Sequence, residues 1–359
     1  MKGLMILMLV SLMGKNPYRC RYWEIVGVDS AWSYTRGDTG TLVGLIDMGF
    51  DFYHPDLKNV IRPGYFADGV YHTEIYEVVA HGTGMASIIH SLAPECPILT
   101  ASSGVIRHDL LILKKQFEKE HPDSGLTAFQ KEILKHMDEL KAFGQRWQEF
   151  INRTTSEGIR YLADNGVHVI NLSALTTSSP EMDSAFAYAA EHDVVIVIGA
   201  GNSDREYEDY PGDGLKNVIV VGASNLKGER WKMEARGIKQ GSNYGRRLTV
   251  VAPSESLIMA APHEERFYHA DNSPLGPEDV EFDSLREFVP YGATSCATAI
   301  VSGLAALIRS LRPDLSAAEV VEIIEKGADD LGDPGYDIYT GYGQVNFARS
   351  LEIAKNWRR

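Results

Sequence analysis

Three short segments carry the side-chain types that together make a serine hydroxyl nucleophilic near neutral pH. Asp47 ends the apolar run LVGLID (42–47), His81 opens HGTGMASII (81–89), and Ser295 lies within YGATSCATAIVSGLAALI (291–308). A carboxylate can orient an imidazole, the imidazole can take a proton from the hydroxyl, and the oxygen can then attack an acyl carbon. Unrelated folds use this kit in different chain orders. The order here is acid, histidine, serine. The α/β-hydrolase arrangement expects serine, acid, histidine and a Gly-x-Ser-x-Gly turn, whereas Ser295 sits in Ala-Thr-Ser-Cys-Ala.

Each segment also has an ordinary reading. Asp47 at a strand end fits a turn aspartate, and it also fits a buried charge that needs His81 as partner. His81 is one of 11 histidines, so its place beside Gly82 and Gly84 at a helix start matters more than its type. Ser295, among small residues, fits an N-cap serine on a core helix. It equally fits a nucleophile whose developing oxyanion meets free helix N–H groups. Asn202 follows IVIGAG (196–201). It reads as a left-handed turn residue or as a carboxamide donor to an oxyanion.

The elements that must position these groups are legible from periodicity. TLVGLID (41–47), PILTAS (97–102), VHVINLSA (167–174), DVVIVIGAG (193–201), NVIVVGAS (217–224) and RLTVVAP (247–253) are continuous β-branched runs. Helical patterns such as EGIRYLADNG and SAAEVVEIIEKGADD lie between them. Apolar strands alternating with amphipathic helices predict an α/β fold, a doubly wound, mostly parallel sheet covered by helices on both faces. Ligands in such sheets sit at strand carboxyl ends, where Asp47 and Asn202 fall. Two stretches interrupt the alternation. Residues 106–150 read as an inserted helical hairpin, with Thr127 and Gln130 as a capping box and Phe129, Ile133, Met137, Leu140, Trp147 and Ile151 at helical spacing. Residues 254–290, acidic and rich in proline, read as an inserted surface loop.

With 359 residues, 44% apolar, and a mean hydropathy of −0.18, the chain has material for a large core. The net charge of −14 argues against a nucleic-acid partner, since phosphate binding needs a basic surface. Cys20, Cys96 and Cys296 are too few for a disulfide scaffold and lack metal-ligand spacing. Residues 1–15 begin with an apolar stretch that fits a weak signal peptide without a small-x-small cleavage site, or a short inhibitory segment. It is too short for a membrane-spanning helix. Cytoplasmic and secreted locations both stay open.

Taken together, the segments around Asp47, His81, Asn202 and Ser295 resemble the subtilisin-like serine peptidases, the subtilases. WEIVGVDSAW (23–32), HPDL (54–57), LAPECPIL (92–99), ADNGVHVINLS (163–173), GSNYG (241–245), VVAP (250–253) and TGYGQVN (340–346) follow in family order. The resemblance implies a single catalytic domain over 16–359 and peptide-bond hydrolysis through an acyl-enzyme. Ser295 is then the nucleophile, His81 the general base and acid, Asp47 its orienter and Asn202 the oxyanion donor. No cofactor is required, and the partner is a protein or peptide substrate. The other class of reading is a catalytically silent binding or regulatory protein that uses the 106–150 insertion to hold a partner. The intact quartet favours the enzyme.

The chain departs from the family pattern at several places. The nucleophile motif has Cys296 for the usual methionine, Ala299 for proline and Ile300 for a following histidine. The substrate-binding strand, usually glycine-bearing, reads Ser173-Ala174-Leu175, with Gly199, Ala200 and Gly201 as the facing segment. LAPE begins eleven residues after His81, which leaves no room for the calcium loop of many subtilisins, although Asp56 matches a calcium ligand. Aligning Tyr210-Pro211 with the family's Tyr-Pro puts Asp209 at the specificity-pocket floor, near Asp204, Glu206 and Glu208. A partly buried carboxylate there implies a preference for Lys or Arg before the scissile bond; the other reading of these residues is a solvated acidic loop.

Overall fold

The six apolar runs do become strands. The computed structural model describes residues 16–66, 81–103, 137–173, 177–235, 238–261 and 286–358. Its strands in chain order begin with β1 (Val43–Asp47), β2 (Ile61–Phe66), β3 (Ile98–Ser102), β4 (Val169–Leu172), β5 (Val195–Gly199) and β6 (Val218–Ser224). A small antiparallel pair, β7 (Lys232–Ala235) and β8 (Ile238–Gly241), precedes β9 (Val250–Pro253). Seven strands form one sheet in the order β2-β3-β1-β4-β5-β6-β9, and every pairing in it is parallel.

Within this sheet, the strand the apolar runs did not anticipate is β2. Its sequence IRPGYF lacks an apolar run and contains Pro63 and Gly64. It is tolerated because it lies at the sheet edge, where the register shifts between Arg62 and Tyr65 around those two residues.

Side chains alternate across the sheet. Val43, Leu45, Val169, Val195 and Val197 join one core, and Ile46, Ile170, Leu172, Ile196 and Ile198 join the other. Two short helices, α1 (Tyr22–Val26) and α2 (Val28–Ala31), and then α3 (His81–Leu92) contribute to the first core. The second face is covered by α4 (Met137–Asp164) and α5 (Pro180–Glu191). The first face is completed by α6 (Thr294–Leu311), α7 (Ala317–Gly327) and α8 (Phe347–Asn356). By length and composition α6 could cross a membrane, but 83% of it is buried against the sheet and α3, the setting of a core helix.

Both expected insertions change shape where they are described. Residues 104–136 lie outside the described residues. From Met137 the chain is one helix of 28 residues that runs through the expected boundary at 150, since no proline interrupts 137–164. The expected loop at 254–290 begins and ends in an antiparallel ribbon, β10 (Glu255–Ala260) with β11 (Arg286–Tyr291); 262–285 lie outside the described residues. The ribbon docks on α3. Ala260 N donates to Ser87 Oγ at 2.8 Å, and Met259 packs over Gly84. The N-terminal segment 1–15 also lies outside the described residues.

The ribbon returns to α6 through Gly292, where a Cβ would overlap the Ser254 carbonyl oxygen and press on Leu257. Gly292→Ala is expected to lose about 1–3 kcal/mol, read as a thermal midpoint lowered by several degrees. A wild-type midpoint would show that this junction has slack.

Candidate active site

The parallel sheet brings three strand ends into one row. The register pairs Ile46 with Leu172 and Leu172 with Ile198. Asp47, Ser173 and Gly199 therefore follow at the same level on the face covered by α3 and α6. Asp47 is 4% exposed. A buried carboxylate needs several donors to keep its charge. It accepts from Met48 N at 2.7 Å and faces His81 Nδ1 with both oxygens, at 2.8 and 2.9 Å.

His81 is the first residue of α3. The helix start is set against the segment after Asp47: Gly82 N donates to Met48 O at 3.1 Å, and a Cβ on Gly82 would overlap Phe50 and Gly49 O. Burial disfavours a charged His81, but the Asp47 charge and its hydrogen bonds outweigh that, so the imidazole pKa lies above its ordinary value. With Nδ1 engaged by the carboxylate, the His81 side chain, 33% exposed, has Nε2 left for chemistry.

Ser295 lies one residue inside α6. The N-cap residue, Ala293, has no capping side chain. The cap comes from a distant segment: Asn202 Oδ1 accepts from Thr294 N at 3.0 Å and Thr294 Oγ1 at 2.9 Å. Thr294 Oγ1 also receives Gly201 N at 3.2 Å. This fixes the carboxamide by its oxygen and leaves Nδ2 without a protein acceptor among the described residues. Ser295 N likewise has none there. Two donors thus flank the serine at a helix N-terminus, the arrangement that stabilises a developing oxyanion. The Ser295 hydroxyl itself donates to Ser173 O at 3.0 Å rather than to His81. Catalytic hydrogen bonds of substrate-free sites are commonly incomplete and form with substrate bound.

The remaining expected contacts divide. Ser173 is 7% exposed and its hydroxyl donates to Ser295 O at 3.1 Å, so its side chain holds the serine. Ala174 and Leu175 lie outside the described residues. Gly199, Ala200 and Gly201 are buried. The carbonyl of Ala200 receives Asn243 Nδ2 and Tyr210 OH, both at 2.9 Å, and that of Gly201 receives Asn243 N at 2.8 Å. These carbonyls are already engaged inside the protein.

Asp209 is exposed, which corrects the expectation of a partly buried pocket floor. The turn fixes its backbone while the side chain faces solvent: Asp209 O accepts from Ser178 N at 3.1 Å and Tyr207 OH at 3.2 Å. Of its acidic neighbours, Asp204 pairs with Arg230 at 2.5 Å, and Glu208 accepts from Arg246 N at 2.5 Å.

Sequence reasoning missed Thr294 and Asn171. Asn171 left one signal, a carboxamide inside the apolar run VINL. The calcium-matched Asp56 accepts from Tyr18 OH at 2.6 Å, and among the described residues no group of three or more His, Cys, Asp or Glu side chains is placed to hold a metal ion.

Two outcomes follow from the Asp47–His81 pair. In an NMR titration the His81 imidazole is expected to change protonation above 6.5, and in Asp47→Asn below it, because burial then acts unopposed. A raised folded-state pKa also means that the pairing stabilises the fold fully below the unfolded histidine's pKa and is lost as pH rises through the folded one. Equal titration midpoints in the two proteins would contradict the pairing.

The sequence profile of the subtilase family matches residues 38–343. A thermophilic serine proteinase of Bacillus sp. (strain AK1) is 26% identical over 320 residues, covering 89% of this chain and 63% of the relative. Fervidolysin of Fervidobacterium pennivorans is 25% identical over 336 residues, covering 92% of this chain and 43% of the relative. The chain therefore spans less than two thirds of the length of these two relatives. The solved structure of a lanthipeptide protease superposes with a TM-score of 0.66 at 21% identity, covering 92% of this chain and 93% of that one, and so shares the doubly wound fold. By the match over most of its length, the chain belongs to the subtilase family.

Proposed function

We propose that this chain is a serine endopeptidase, with Asp47, His81 and Ser295 as catalytic residues and Asn202 as oxyanion donor. The observation that carries the reading is the buried Asp47 carboxylate bonded to His81 Nδ1, beside a serine with two N–H donors that have no acceptor among the described residues. In the reaction, Ser295 Oγ turns from Ser173 O to His81 Nε2 and attacks the scissile carbonyl carbon as its proton passes to the imidazole. The carbonyl oxygen becomes negative and takes hydrogen bonds from Ser295 N and Asn202 Nδ2. The C–N bond then breaks as His81 returns the proton to the leaving amine. Water, deprotonated by His81, cleaves the Ser295 ester and restores the enzyme. These steps draw on side chains and main-chain donors alone.

Cleavage after Lys or Arg is the finer part of the proposal. It is supported by Asp209, whose exposed carboxylate has no cationic partner among the described residues, and by the net charge of −14. An exposed carboxylate is screened, so the preference is modest.

A fluorophosphonate probe is expected to label wild type and leave Ser295→Ala unlabelled; equal labelling of both, or of neither, removes the enzyme. kcat/KM is expected to rise with pH through a single ionisation above the ordinary imidazole value, because only neutral His81 can accept the proton. Asn202→Ala should lower kcat about 10²–10³-fold. Among reporter peptides, Arg and Lys before the scissile bond are expected to be cleaved about fivefold faster than Phe or Leu, a ratio on the order of 1 kcal/mol, and Asp209→Asn to erase the difference. Faster cleavage after Phe or Leu would sink the basic preference and leave the peptidase reading intact.

A further inference from the structure

Asn171 is a polar side chain between two apolar neighbours in its sheet row. The register places it between Leu45 of β1 and Val197 of β5, both fully buried in the core beneath α6, and Asn171 is itself 0% exposed. A buried carboxamide left unsatisfied is destabilising, so its partners decide why it is tolerated. Ser302 Oγ, fully buried on α6, donates to Asn171 Oδ1 at 2.9 Å. Asn171 Nδ2 donates to Ser173 Oγ at 2.8 Å. Ser173 Oγ donates to Ser295 O at 3.1 Å.

The chain of bonds has one direction. Ser295 O can only accept, so the Ser173 proton must point to it. Ser173 Oγ must then accept, so the NH2 end of Asn171 must face it. Oδ1 is left facing Ser302, which must donate. The three bonds specify one another and tie the middle of β4 to α6 at both Ser302 and Ser295. Ser173 thereby holds the nucleophilic residue at two atoms, since Ser295 Oγ donates back to Ser173 O at 3.0 Å.

Resting on the peptidase reading above, we infer that Asn171 is a positioning residue for the nucleophile, and that the Ser302–Asn171–Ser173 relay fixes the Ser295 backbone relative to His81 and the oxyanion donors. Asn171 touches no reacting atom in this account. Its loss moves the attack geometry and leaves substrate binding alone, so it acts on kcat and not on KM.

The test compares Ser302→Ala, Asn171→Ala and the double variant with wild type. Each is measured for kcat and KM on one reporter peptide, for thermal midpoint, and for amide hydrogen exchange over residues 292–299. Ser302→Ala removes only the first donor and keeps the variants informative should Asn171→Ala fail to fold. The expected result is a kcat loss of about threefold for Ser302→Ala and about tenfold or more for Asn171→Ala, with KM within twofold. The double variant should be no worse than Asn171→Ala, because both break one relay. Exchange at 292–299 is expected to accelerate in each. Unchanged kcat in a folded Ser302→Ala, additive losses in the double variant, or unchanged exchange at 292–299 would reduce Asn171 to a packing residue. Exchange needs no turnover, so it reports on the relay even where wild type hydrolyses nothing, the outcome that would refute the peptidase reading instead.

Discussion

The buried charge of Asp47 is the constraint on which the site depends. A carboxylate at 4% exposure is tolerated at a strand end only when donors converge on it, and His81 supplies the nearest flexible one. That requirement sets where α3 begins. It explains the bare glycine after His81, because Gly82 must lie against Gly49 and Phe50. It also sets the histidine's ionisation, since the same carboxylate that orients the ring raises its pKa against the pull of burial. One electrostatic requirement thus settles a helix position, a ring orientation and a proton affinity.

The second support is the start of α6. A helix N-terminus with no local capping side chain borrows the oxygen of Asn202, and this use leaves the nitrogen end of the same carboxamide beside Ser295. In the proposed reaction, stability and chemistry would then share this residue, with a division of labour between its two atoms. Beneath the serine, the polar relay through Asn171 crosses from sheet to helix. The ribbon of β10 and β11 closes the arrangement from outside. It joins α3, through Ser87 and Gly84, to the turn that leads into α6.

Much of this was legible in the sequence, for a physical reason. Strands buried on both faces are predominantly apolar, so six of the seven sheet strands announce themselves, and Asp47 and Asn202 are visible because they end such runs. β2 was hidden because an edge strand need not be apolar and can carry Pro63. The unbroken course of α4 through residue 150 was hidden because charged helix faces give no boundary signal inside a continuous helix. Asn171 and Thr294 were overlooked because each works through hydrogen bonds to residues far along the chain, which periodicity does not encode. Asp209 was expected at a partly buried pocket floor from the Tyr210-Pro211 motif, but a motif does not encode which way the segment faces, and the side chain is exposed.

The most direct measurement of the central claim is the crystal structure of the protein after reaction with a fluorophosphonate. The account predicts a phosphonyl group on Ser295 Oγ, its phosphoryl oxygen within hydrogen-bond distance of both Asn202 Nδ2 and Ser295 N, and His81 Nδ1 still bonded to Asp47. An adduct on another residue, or a phosphoryl oxygen turned away from Asn202, would contradict it.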